Sequence, residues 1–116
     1  KYVVVGVAVL LFPIGARTTS APAGSSAQAG GIDAAALFTK NCAKCHGKDG
    51  RAKTFRGKLT GARDLTKAEW QARVSDDALA ASIANGRGSM PSFKKKLSAE
   101  EISALVAHVR KLVNSK

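Results

Sequence analysis

The sequence predicts an all-α domain of about four short helices joined by long loops. Three observations predict it. Apolar residues between positions 33 and 113 recur at helical spacing. Asp, Thr or Ser stands before each periodic run, where a helix N-cap belongs. No window alternates apolar and polar residues as a half-buried strand does, and no internal repeat is visible.

Composition narrows the function classes. The chain has 116 residues, enough for one domain. It carries 19 Lys+Arg against 8 Asp+Glu, a net charge of +11. At 45% hydrophobic it is not a disordered polycation. Aromatics are only 5%, so an aliphatic interior is expected unless something else fills it. Two cysteines are too few for a disulfide-built miniprotein. A multi-domain enzyme, a coiled coil and a polytopic membrane protein are excluded.

Residues 1–29 read as a secretory signal with a small-residue linker. Lys1 precedes YVVVGVAVLLFPI, 13 residues without a charge. The run is shorter than the roughly 20 residues that span a bilayer, holds Pro13 and is closed by Arg17. Ala27-Gln28-Ala29 offers an A-x-A cleavage site. A retained N-terminal anchor and a buried apolar strand are the alternatives. No Cys lies near enough for a lipoprotein anchor. Residues 15–31, GARTTSAPAGSSAQAGG, have the composition of a flexible tether. The folded domain is then 30–116.

The elements follow in order. Asp33 can cap a helix through AAALFTKNCAKC, with Leu37, Phe38 and Cys42 on one face. GKDGRAKTFRGKLTGARDL has no sustained period and reads as an ordered loop. Thr66 can cap a short helix, KAEWQARV. Ser75 and Asp76 open DALAASIAN, and Gly86 stands just past its end. GRGSMPSFKKK is the second loop. Ser98 with Glu101 matches a capping box and opens AEEISALVAHVRKLV. Ile102, Leu105, Val106, Val109, Leu112 and Val113 form its apolar stripe.

This inventory is short of core. A domain of this size is marginal on apolar burial alone. Long loops are uncommon in a compact domain unless they serve a function. A large embedded prosthetic group would answer both difficulties, and Cys42-Ala43-Lys44-Cys45-His46 points to one. C-x-x-C-H is the attachment signature for c-type haem. Cysteines at i and i+3 share one side of a helix, so both thiols can meet the vinyl groups at one porphyrin edge. His46 beside them can then turn its imidazole onto the iron. A thioredoxin-type pair needs a βαβ context, which is missing. A zinc site lacks a second Cys pair. A plain disulfide in an exported protein is the remaining alternative.

Iron ligated on both faces needs a second ligand, and the chain has one Met, Met90, and one further His, His108. Met90 sits in Gly86-Arg87-Gly88-Ser89-Met90-Pro91, where a core-filling Met makes little sense. A thioether there suits a high-potential haem. His108 lies on the last helix between Leu105 and Leu112, the place of a packing histidine.

NCAKCHGKDG, RDLTKAEWQARVSDDALAASIANGRGSMPSF and LSAEEISALVAHVRKL together resemble a class I c-type cytochrome, of the small bacterial mono-haem kind. The resemblance covers roughly residues 32–113. It implies the cytochrome c fold: first and last helices crossing, with one haem c held edge-out in a crevice. It implies that Phe38 is the aromatic at that crossing, met by Leu105 and His108. The family usually has an aromatic where His108 stands, so a titratable ring takes its place here. The resemblance also puts Trp70 and Arg63 near the haem propionates. An ordinary core Trp and a solvated Arg are equally good readings of those two residues.

Positive charge is concentrated. Segment 40–58 holds Lys40, Lys44, Lys48, Arg51, Lys53, Arg56 and Lys58 against Asp49 alone. Segment 87–96 holds Arg87, Lys94, Lys95 and Lys96 with no acid. These segments carry the candidate iron ligands. A basic rim there steers a redox protein toward acidic partners. General solubility charge is the bland alternative. Export and the lack of a binding motif argue against nucleic acid. An anionic membrane surface is a further partner class. The expected molecule is an exported, periplasmic, monomeric single-electron carrier with no catalytic residues. A membrane-tethered electron-entry module of a larger oxidoreductase is the main alternative, and an open-site haem peroxidase or gas sensor the lesser one.

Overall fold

The computed structural model describes residues 31–113 and 115. The expected signal and linker at 1–29 lie outside the described residues. The described residues form six helices: α1 (Ala34–Asn41), α2 (Ala43–His46), α3 (Phe55–Thr60), α4 (Ala68–Arg73), α5 (Asp76–Asn85) and α6 (Ala99–Lys111). Among the described residues there is no strand beyond an isolated bridge between Arg87 and Met90. None of their helices is long and apolar enough to cross a membrane.

The caps explain most boundaries. The side chains of Asp33 and Ser75 accept hydrogen bonds from Ala36 and Ala78 backbone N–H groups, starting α1 and α5. Ser98 and Glu101 complete a reciprocal capping box at α6. Three expectations need correction. The helix expected through 34–45 is two helices: Cys42, with φ −116° and ψ −35°, ends α1, and α2 starts at Ala43. Thr66 does not cap α4. Its N–H and hydroxyl both donate to Asp64 Oδ1, at 2.9 and 2.7 Å, and Lys67 takes the cap position. The first long loop is not all loop, since it contains α3, whose start is capped by the Thr54 hydroxyl.

α6 organises the core. It packs across α1 and against α5, while α2 packs on α3. Phe38 on α1 and Leu105 on α6 are the most deeply buried side chains, 2% and 1% exposed. Burial of each contributes about 1.5–3 kcal/mol. Leu65, Leu79, Ile83, Phe93, Leu97, Ile102, Val106, Val109 and Leu112 complete the cluster. Val113, expected on the stripe, is 37% exposed instead. The buried Gln71 of α4 donates from Nε2 to the Leu65 and Val109 carbonyls, at 2.8 and 2.7 Å. Arg110 donates to Asp76 and to the Gln71 and Val74 carbonyls. These bonds bolt α4 and the α4–α5 turn to α6, the surface against which the site is built.

Candidate haem site

The attachment motif straddles a helix break. Cys42 ends α1, and Cys45 and His46 lie on the single turn of α2. The N–H groups of Cys45 and His46 both close on the Cys42 carbonyl, at 3.2 and 3.0 Å. Both thiols are free and half-buried. Burial, with the neighbouring Cys45 thiol, pushes the Cys42 thiol up to about 11, and Lys96 partly opposes this.

The α2 turn is held from below by α3. The Thr54 hydroxyl lies within hydrogen-bond distance of the Lys44 and Cys45 carbonyls, at 3.0 and 2.9 Å, and also accepts from Gly57 N–H. Gly57 lies so close to α2 that a Cβ on it would sit 2.2 Å from the Cys45 carbonyl oxygen. Thr54 and Gly57 thus position the motif, and sequence reading missed both. The available signal was a hydroxyl residue three positions before a glycine, which reads equally well as loop.

His46 Nδ1 lies 2.9 Å from the Arg63 carbonyl oxygen. With the proton on Nδ1 the ring donates to that carbonyl, and Nε2 is left as the nitrogen for a metal. Arg63 turns its guanidinium over the Trp70 ring, 5.8 Å from its centroid. Arg63, Trp70 and His46 are thus brought into one neighbourhood. Trp70 is half-buried and packs on the core, while the Arg63 side chain is exposed.

Met90 is half-buried and also packs on the core. It closes a tight turn in which Arg87 and Met90 exchange backbone hydrogen bonds of 3.0 and 2.9 Å. Gly86 makes this turn possible: its φ is +77°, and a Cβ would lie 2.7 Å from the Met90 carbonyl oxygen. The segment after Met90 is tied to the end of α5. Phe93 N–H donates to Ile83 O, Lys94 N–H to Ala84 O, and the Ser92 hydroxyl also to Ala84 O.

His108 packs its ring on Phe38, with centroids 4.9 Å apart and planes tilted by 43°. It is a half-buried partner in the α1–α6 crossing, as expected.

These residues fit a covalent iron porphyrin. They offer two free thiols three positions apart, an imidazole with one nitrogen engaged, and a thioether. Trp70, Val74, Ala80, Ala84 and Met90 each pack against the core while remaining only partly buried.

Comparison with known proteins agrees. Residues 31–109 match the family "Cytochrome C oxidase, cbb3-type, subunit III". The chain is 38% identical to cytochrome c6 of Leptolyngbya boryana over 82 residues, covering 66% of this chain and 89% of that one. It is 34% identical to the cbb3-type cytochrome c oxidase subunit FixP of Azorhizobium caulinodans over 79 residues, but only 26% of that longer protein is covered. Among solved structures, the KustC0563 c-type cytochrome superposes with a TM-score of 0.68 at 42% identity, covering 72% of this chain and all of that one. The chain belongs to the small class I c-type cytochromes, electron carriers with a covalently bound haem c.

Proposed function

We propose that this cytochrome is an exported, monomeric single-electron carrier with iron ligated by His46 and Met90. Cys42 and Cys45 tether the porphyrin, and Arg63 and Trp70 lie on its propionate side. When bound, the haem supplies the one-electron chemistry; the protein supplies ligands, an apolar setting and a docking surface. No side chain is assigned a catalytic role.

The observation that carries this reading is the hydrogen bond between His46 Nδ1 and the Arg63 carbonyl. It fixes the ring and raises the basicity of the other nitrogen, as partners of ligating histidines do. The glycine-dependent turn supports Met90 as the second ligand, because it holds a half-buried thioether beside the core. The basic segments 40–58 and 87–96 bear both ligands and suit acidic redox partners.

Met90→Ala tests the ligation. The variant should lose the ferric Met–iron charge-transfer band, have a lower potential, and bind CO rapidly when reduced. An unchanged spectrum and potential would transfer the role to His108.

A second reading, an electron-entry module within a larger oxidoreductase, is favoured by the match to the cbb3 subunit III family. Mass spectrometry of the native mature protein discriminates the two: a retained N-terminal segment supports the module, and cleavage near Ala29 supports the free carrier.

A further inference from the structure

α3 carries two large apolar side chains in water. Phe55 is 80% exposed and Leu59 is 71% exposed. Their placement follows from Gly57. An α-helix turns about 100° per residue, so residues two positions either side of Gly57 point away from whatever Gly57 touches. Gly57 touches α2 at the Cys45 carbonyl, so Phe55 and Leu59 form a stripe on the outer face. On the same wheel Arg56 and Lys58 fall on opposite sides of that stripe.

The surroundings are of one sign. From Arg51 to Arg63 the sequence holds Arg51, Lys53, Arg56, Lys58 and Arg63 and no carboxylate. The flanking acids are already engaged. Asp49 accepts from Arg51 N–H and pairs with its guanidinium, and Asp64 is held by Thr66 and Lys67. An apolar centre edged by polar groups is how a transient protein interface is built. The cations around this one select an acidic surface. The patch is also mechanically coupled to the redox site, because Thr54 and Gly57 lock α3 to the turn that bears Cys45 and His46.

We propose that Phe55 and Leu59 are the apolar centre of a docking face for an acidic redox protein, with Lys53, Arg56 and Lys58 as its rim. The proposal rests on the carrier reading above and names the part of the chain that touches the partner.

The test uses holoprotein, with reduced flavodoxin as an acidic one-electron protein donor and ascorbate as a small-molecule control. Phe55→Ala with Leu59→Ala keeps every charge and favours the helix. It should lower the second-order rate with flavodoxin about tenfold, the scale of losing an interface anchor, and leave the ascorbate rate and haem spectrum unchanged. Leu59→Glu should slow the protein reaction at least as much. A double-variant rate within twofold of the parent overturns the proposal. So does parent self-association, or binding to phosphatidylglycerol vesicles, that the double variant abolishes: the patch would then serve a second copy or a membrane. The salt dependence of the parent rate reports separately on the basic rim. A salt-independent rate with an intact variant effect would count against the rim and still support the α3 face.

Discussion

His108 brings a titratable ring to the crossing of α1 and α6. Burial against the core lowers its proton affinity below the ordinary imidazole value, Lys111 on the same helix adds to this, and Asp33 at the start of α1 opposes it. The folded protein therefore binds fewer protons at this site than the unfolded chain as pH falls through 6.5 and below. Stability contributed here is present above that pH and is lost on acidification. His108→Phe should keep the contact with Phe38 and flatten the fall in thermal midpoint of the holoprotein between about pH 7 and pH 5. An unchanged pH profile would show that His108 does not contribute. Residues read singly carry most where chemistry is local. Cys42, Cys45 and His46 form one motif, and Met90 stood out because a core-filling Met suits its loop poorly. They do not reveal the Arg63 carbonyl, because a backbone oxygen leaves no trace in residue type. Arg63 was singled out for its guanidinium, whereas its main chain holds His46.

Among the elements, α6 was the most legible and α3 the least. α6 has an apolar stripe and a capping box, so periodicity and cap agree. Ser98→Ala removes one half of that box and should cost about 1 kcal/mol in denaturant unfolding of the holoprotein. Loss of less than a few tenths would mean that packing on α1 and α5 alone sets the start of the helix. α3 is six residues long and places its apolar side chains outward, so it buries no stripe for periodicity to detect. Its only buried residue is Gly57, which a propensity argument reads as a breaker. The α1–α2 break was hidden for a related reason. Cys42 keeps an α-helical hydrogen bond to the Phe38 carbonyl, and the break lies in its φ of −116°, which residue type does not record. Thr66 has the residue type of a cap, but Asp64 two positions earlier takes both of its donors.

The whole molecule is defined by a small core and a large charge. Eleven buried apolar side chains form the core of the described domain, and the net charge of the chain is +11. Fold class was legible because helical spacing marks α1, α5 and α6, which bury apolar side chains in the core. The gathering of Arg63, Trp70 and His46 was not, because it depends on how the loop after α3 returns to α2. At physiological salt the Debye length is about 8 Å, so only cations near a contact act on a partner. Lys95→Glu, beside the Met90 loop, should slow electron transfer to an acidic protein partner and weaken its salt dependence. Lys111→Glu, at the end of α6, changes net charge equally and should have a much smaller effect. Equal slowing by both would mean that total charge, rather than its placement, governs encounter.

The stitching of the Met90 loop bears on electron-transfer speed. Under the ligation proposed here, the sulfur belongs to a residue whose own main chain is closed on Arg87, and the three residues at 92–94 are anchored to the end of α5. The His46 imidazole is pinned by the Arg63 carbonyl. For a haem held by these two residues, any ligand atom free to move with a change of charge would add nuclear rearrangement to the barrier. Ligands carried on a closed turn and a pinned ring have little room to follow. The backbone around both ligands should therefore be nearly superimposable in the two redox states, and the reorganisation energy should come mostly from solvent. Burial by a docked partner would then act on the barrier itself as well as on encounter.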